Sequence, residues 1–186
     1  MIPVNPGYYL SVSKQKRKSQ MILSLRRFEE DDLSQLHGWS NAVGSYKYMQ
    51  KVTPLNFHEP GDLKKWGTDF VWYAILLDNR AIGGVWVDRR RPGDEVGILG
   101  IIIGRPDVLG RGIGRRAIGM AVERAVRILH LTRIRLTVRQ ANERAVRSYR
   151  SVGFTVSGEG STVLPDGTSV PFYRMELDTA ALAEAI

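Results

Sequence analysis

The run Leu109-Gly110-Arg111-Gly112-Ile113-Gly114 constrains this chain more than any other stretch. It follows the apolar segment Val96–Ile103 and opens a pattern of helical period that reaches about Leu129. A glycine-rich turn between a strand and a helix exposes backbone N–H groups at the positive end of the helix dipole, where phosphate is well accommodated. Gly112 and Gly114 remove the Cβ atoms that would hold an anion away from that backbone. The N–H groups from Gly110 to Arg115 are the expected ligands, with Arg111, Arg115 and Arg116 as candidates for charge-assisted contacts. Further on, Asn142-x-x-Ala145-x-x-x-Tyr149 places three side chains on one helical face, at i, i+3 and i+7.

A chain of 186 residues suits one α/β domain with a well-buried core. The absence of cysteine excludes disulfides, thiol nucleophiles and thiolate metal sites. His37, His58 and His130 show no metal-ligand spacing, so no metal is expected. No apolar run approaches the roughly 18 residues of a membrane span, and no membrane association is expected. The basic run Lys14-Gln15-Lys16-Arg17-Lys18 follows Pro3, Pro6 and Gly7, the wrong order for a secretory signal. Residues 1–20 read as a flexible basic arm, 21–178 as the domain and 179–186 as a tail, with cytoplasmic residence expected. The net charge of +8 is concentrated: fifteen arginines face six acids between Gly84 and Arg150. That suits a polyanionic ligand. Contact with nucleic acid or the ribosome is also compatible with the charge, but no nucleic-acid-binding motif supports it.

Ile22–Phe28 alternates as a first strand, and Glu29–Asp32 load acids into the first turn of a helix expected to reach Trp39. Residues 40–62 are turn-rich, and a short helix is expected over Asp62–Thr68. Val71–Leu77 and Ala81–Val87 form a hairpin around Asp78-Asn79-Arg80. Val96–Ile103 is apolar on both faces and reads as a central strand. In the helix that follows, Ala117, Ala121 and Ala125 form an i, i+4 ladder suited to close packing on a sheet. Arg133–Val138 is a strand, residues 142 to about 151 a helix ended by Gly153, and Phe154–Ser157 and Val170–Leu177 a last strand pair.

Ile103-Gly104-x-Pro106-x-x-Leu109-Gly110-Arg111-Gly112-Ile113-Gly114, with Asn142-x-x-Ala145-x-x-x-Tyr149-x-x-x-Gly153-Phe154, resembles the two core motifs of the GNAT superfamily of acetyl-CoA-dependent N-acetyltransferases. The resemblance implies a single α/β (α+β) domain: a mixed, mostly antiparallel sheet of six or seven strands with about four helices. Two neighbouring parallel strands would splay apart to admit the pantetheine arm. It further implies that backbone groups of Ile101, Ile102 and Ile103 meet the pantetheine amides and the thioester carbonyl. Leu109, Gly110, Arg111, Gly112, Ile113, Gly114 and Arg115 would hold the pyrophosphate, Asn142 and Ala145 support the cofactor arm, and Tyr149 protonate the departing thiolate. A phenol of pKa ~10 is suited to that task because it stays protonated at neutral pH.

Two departures matter. Leu109 replaces the usual Gln or Arg, at a loop that acts through its backbone. No carboxylate stands at Ile98 or Gly100, where relatives carry a general base. Glu95 is the nearest acid on the strand, but its alternation is opposite to both positions, so it reaches the site only through a bulge. Asp88 and His58 are further options, and water is another. The best subfamily resemblance is to ribosomal-protein N-terminal and spermidine acetyltransferases, through Arg27-Phe28, Leu129-x-Leu131 and Met175-Glu176-Leu177. The implied reaction is acetyl transfer by direct attack of a peptide N-terminus, a polyamine or a small-molecule amine. An aminoglycoside-type 6′-N-acetyltransferase and a non-catalytic coenzyme A-binding module are the alternatives. Gly112-x-Gly114-x-x-Ala117 also fits a dinucleotide fingerprint, but Arg139-Gln140 stands where the ribose-binding acid should be.

Overall fold

Turn chemistry sets the first half of the sheet. In the computed structural model, which describes residues 21–44 and 51–180, β1 (Leu23–Arg27) pairs antiparallel with β2 (Phe70–Leu77). β2 turns directly into β3 (Arg80–Arg89), with Leu77 opposite Arg80. Asp78 and Asn79 both take left-handed backbone, φ 50° and 63°, which matches a two-residue turn to the strand twist. β4 (Val96–Ile103) runs antiparallel to β3, and β5 (Arg133–Arg139) joins β4 in parallel. β7 (Ser169–Asp178) follows beside β5, and β6 (Thr155–Val163) is the edge, giving the order β1-β2-β3-β4-β5-β7-β6.

Three α-helices and two 3₁₀ helices accompany the sheet among the described residues: α1 (Glu30–Ala42), α2 (Ile113–Leu129) and α3 (Glu143–Arg150), with 3₁₀ segments at Pro60–Lys65 and Pro106–Val108. The α1 start is fixed by Asp32, which accepts the Glu29 N–H at 2.9 Å and two hydrogen bonds from Arg26 at 2.8 and 3.0 Å. On α2, Ala117, Ala121 and Ala125 have no exposed surface, while Arg115, Arg116, Glu123, Arg124 and Arg127 are exposed. The alanine ladder does lie on the sheet, and α2 packs against β1 to β4. Its last carbonyl, Leu129, accepts from the Arg89 guanidinium, a cation at the negative end of the dipole.

Two cores result. One lies between the sheet and α2 with α3. The other lies on the opposite face, where α1 and residues 52–63 cover β2, β3 and part of β4 with Phe28, Trp39, Phe57, Trp72 and Trp86. Among the described residues no helix covers that second face beyond β4, and Arg135, Thr137 and Arg174 are exposed there.

Three boundaries differ from the sequence reading. α1 continues past Trp39 to Ala42, and the short helix is a 3₁₀ helix over Pro60–Lys65 that begins on the proline, whose missing N–H costs nothing at a first turn. β6 continues past Ser157 to Val163. Gly158 and Gly160 look like strand breakers, yet β7 supplies their ladder, and a Cβ on Gly160 would sit 2.6 Å from the Phe172 ring. The proposed arm over residues 1–20 lies outside the described residues, as does all but the start of the tail. No described helix is long and apolar enough to cross a membrane.

Candidate functional site

The parallel strands β4 and β5 pair only from Val96 opposite Arg133 to Ile98 opposite Arg135. Past that point β4 stays with β3 as far as Ile103, and β5 stays with β7 as far as Arg139. A cavity of about 750 Å³ opens between them. Its walls are Leu99–Ile103, Val108–Arg115, Thr137–Arg139 and the α3 face with Asn142, Ala145 and Tyr149. The backbone of β4 is oriented by its other edge. Gly104 N–H donates to Ile82 C=O at 2.7 Å, and the Ile102 carbonyl points at Gly83 so closely that a Cβ there would overlap it. Backbone groups alternate along a strand, so those of Ile101 and Ile103 face the gap while those of Ile102 are committed to β3. Ile102, buried in the α1-side core, is still among the residues along the cavity. The free N–H and C=O groups at Ile101 and Ile103 are the ones available to an amide-bearing ligand.

Below the gap lies the glycine turn. Gly110 and Gly112 have φ of 80° and 76°, backbone that L-residues rarely adopt. A Cβ on Gly110 would meet no protein atom within 4 Å, and one on Gly112 only the Arg115 guanidinium at 3.9 Å. Packing does not require these glycines; the space beside them opens on the cavity. The first bond of α2 runs from Arg116 N–H to Gly112 C=O at 3.2 Å. The N–H groups of Ile113, Gly114 and Arg115 therefore precede the helical ladder, aimed along the dipole. Arg111 and Arg115 line the cavity and form no ion pair among the described residues; Arg116 does not line it. Arg144 and Arg147, which sequence reasoning did not single out, line it as well. Their signal was available: they share α3 with Ala145 and Tyr149.

Asn142 caps α3, its Oδ1 accepting from Ala145 N–H at 3.3 Å. This bond aligns α3 so that Tyr149, two turns on, comes to the cavity wall. Tyr149 is 8% exposed, and its ring packs edge-on against Phe154 at 5.9 Å. Its hydroxyl makes no hydrogen bond among the described residues, and burial pushes its pKa up to about 12. The phenol holds its proton at any ordinary working pH.

Among the described residues no aspartate or glutamate lines the cavity. The bulge that would bring Glu95 round is absent, because the β3–β4 register is unbroken from Gly97 to Ile103. Glu95 lies five residues before Gly100, roughly 16 Å along the strand, with its carboxylate 3.4 Å from the Thr132 hydroxyl. The structure does not bring it to the gap. Nor does it bring His58, an exposed residue whose N–H donates to Asp62. Asp88 is fully buried opposite Ile98, outside the cavity. One of its oxygens accepts Leu55 N–H at 3.2 Å, the other has no partner among the described residues, and burial pushes its pKa up to about 7. Gly100 lies under the Trp86 indole, which any Cβ at that position would strike.

The acetyltransferase (GNAT) family model matches residues 35–154. The spermidine N(1)-acetyltransferase of Escherichia coli (strain K12) is 38% identical over 140 residues, covering 74% of this chain and 75% of that one. Among solved structures, spermidine N-acetyltransferase from Vibrio cholerae in complex with CoA and spermine superposes with a TM-score of 0.70 at 22% identity, over 87% of this chain and 98% of that one. An aminoglycoside acetyltransferase in complex with coenzyme A and kanamycin gives 0.63 at 20% identity, over 88% and 98%.

Proposed function

This chain belongs to the acetyltransferase (GNAT) family, and from that premise we propose that it transfers an acetyl group from acetyl-CoA to a primary amine by direct attack, with Tyr149 as the proton donor. The observation that carries the reading is the parted β4–β5 pair, whose free backbone edge shares one cavity with the glycine turn and Tyr149. The residues fit coenzyme A: open space beside Gly110 and Gly112 admits a pyrophosphate to the start of α2, and Arg111 and Arg115 line the cavity beside it.

Acetyl-CoA, when bound, supplies an acetyl group already activated as a thioester. The chain positions it and manages charge. Ile101 and Ile103 offer N–H groups from a rigid strand edge to amide and thioester oxygens, where negative charge grows as the amine attacks. Asn142 fixes the start of α3, and with it the place of Tyr149. The Tyr149 hydroxyl holds a proton for the departing sulfur, and its lack of a protein partner leaves it free to donate. With no carboxylate on the cavity wall among the described residues, solvent is the proposed acceptor of the amine's proton. An amine of pKa ~10 is only about one part in a thousand neutral at pH 7, so acceptors of lower pKa are favoured.

Tyr149→Phe tests the assignment, since it keeps the ring against Phe154 and removes only the proton. The expected result is a fall in kcat on the order of 10² with acetyl-CoA affinity near that of the parent. Unaltered kcat and an unaltered pH profile would leave Tyr149 a packing residue.

A further inference from the structure

The cavity carries more positive charge than a pyrophosphate needs. Arg111 and Arg115 stand by the glycine turn, yet Arg139, Arg144 and Arg147 line the same cavity, and among the described residues no acid does. Two of these three share one surface. Arg144, Arg147, Ser148 and Ser151 follow one another at i, i+3, i+4 and i+7 along α3 and its C-cap, so they form a single stripe, and all four line the cavity. The stripe lies beside the one formed by Asn142, Ala145 and Tyr149.

The protein itself leaves both guanidinium groups available. Arg144 is exposed, and its guanidinium makes no ion pair or hydrogen bond among the described residues. Arg147 meets Glu143 at 3.1 Å, but the two side chains are 69% and 78% exposed. So open a pair is screened by water and holds its arginine weakly, and a dianion competes with it for the fork. Ser148 and Ser151 bring no charge. Their hydroxyls donate to the Arg144 and Ser148 carbonyls at 3.0 and 2.8 Å, which commits those protons to the helix and leaves the guanidinium groups as the donors on this wall. The stripe is also separate from the glycine turn. There the donors are backbone N–H groups at the start of α2; here they are side chains along the flank of another helix.

We propose that Arg144 and Arg147 receive a phosphate monoester of the ligand, distinct from its pyrophosphate; in coenzyme A that group is the 3′-phosphate. The inference rests on the acetyl-CoA reading above and extends it to the choice of donor. A phosphate monoester carries nearly two negative charges at neutral pH and three acceptor oxygens, enough for two forks one helical turn apart. A donor without it leaves both arginines unused, so the chain selects acetyl-CoA over the same thioester lacking the 3′-phosphate.

Calorimetry with coenzyme A and 3′-dephospho-coenzyme A tests this. The parent protein should bind coenzyme A at least tenfold more tightly, and raising salt from about 50 to about 500 mM should shrink that ratio. In the Arg144→Gln, Arg147→Gln double variant, coenzyme A should weaken to the level of the dephospho form, whose own affinity changes less than about twofold. The Arg144→Lys, Arg147→Lys pair should keep part of the preference. Arg150→Gln, an exposed position on α3 away from the cavity, should keep all of it. Thermal melts establish that each variant is folded. Equal affinity of the parent for both ligands would overturn the proposal. So would an equal loss for both in the double variant, which would place the arginines on the adenosine or the pyrophosphate. A parent that binds neither ligand would instead sink the coenzyme A reading, and this inference with it.

Discussion

Asp88→Asn should stabilise the protein at alkaline pH and do little in acid. The side chain has no exposed surface, its Oδ2 takes only the Leu55 N–H, and its Oδ1 has no partner. Burial raises the carboxyl from 3.8 to about 7, against the smaller pull of the Leu55 N–H and the Lys51 ammonium. Three units at 1.36 kcal/mol each set a ceiling of about 4 kcal/mol. Below pH 3.8 folded and unfolded chains are both protonated at this site and the term vanishes. Between about 4 and 7 the folded state keeps a proton that the unfolded state has released, so stability falls as pH rises; above 7 the full cost is present. The Asn side chain mimics the protonated acid and still accepts from Leu55. Its melting temperature should match the parent's below pH 3.8 and exceed it by about 10 °C near pH 8, at about 2–4 °C per kcal/mol for a chain of this size. Thermal melts across that range check it. Parallel profiles for parent and variant would refute the reasoning, as would an equal loss at both ends.

Gly114→Val places a side chain at the start of α2, where the nearest protein atom is Ile103 Cδ1 at 3.5 Å and φ is unstrained. Acetyl-CoA affinity by calorimetry should drop at least tenfold, about 1.4 kcal/mol, in a folded protein. Arg26→Met leaves the buried Asp32 carboxylate with only its backbone bond; with Arg26 partly exposed, a loss of about 2 kcal/mol is expected in chemical denaturation. With no acid on the cavity wall among the described residues, kcat/KM should climb tenfold per pH unit up to the acceptor amine's own pKa, following the amine when acceptors of different basicity are compared. A rising limb fixed at one pH for all acceptors would reveal a titrating side chain instead.

The half of the candidate site built on the glycine turn and α3 was legible in the sequence because its parts are local. A turn needing left-handed backbone at Gly110 and Gly112, the first turn of α2, and an Asn142-capped α3 carrying Tyr149 all lie within short stretches. Helix period and dipole act at that range, so the residue pattern specifies them. The alanine ladder of α2 and the Asp78-Asn79 turn were readable for the same reason. What depended on distant partners was not. Gly158 and Gly160 enter a strand because β7 supplies the ladder. Ile102 turns its backbone away from the gap because β3 claims it, a matter of register between strands that no single strand encodes. Glu95 is kept from the gap by the same unbroken ladder. The burial of Asp88 beneath Leu55 arises only when the sheet closes around it. Sequence alone determined the local backbone that can cradle a phosphate. Only tertiary packing, which sets register and desolvation between residues far apart in the chain, decided which charges stand beside it.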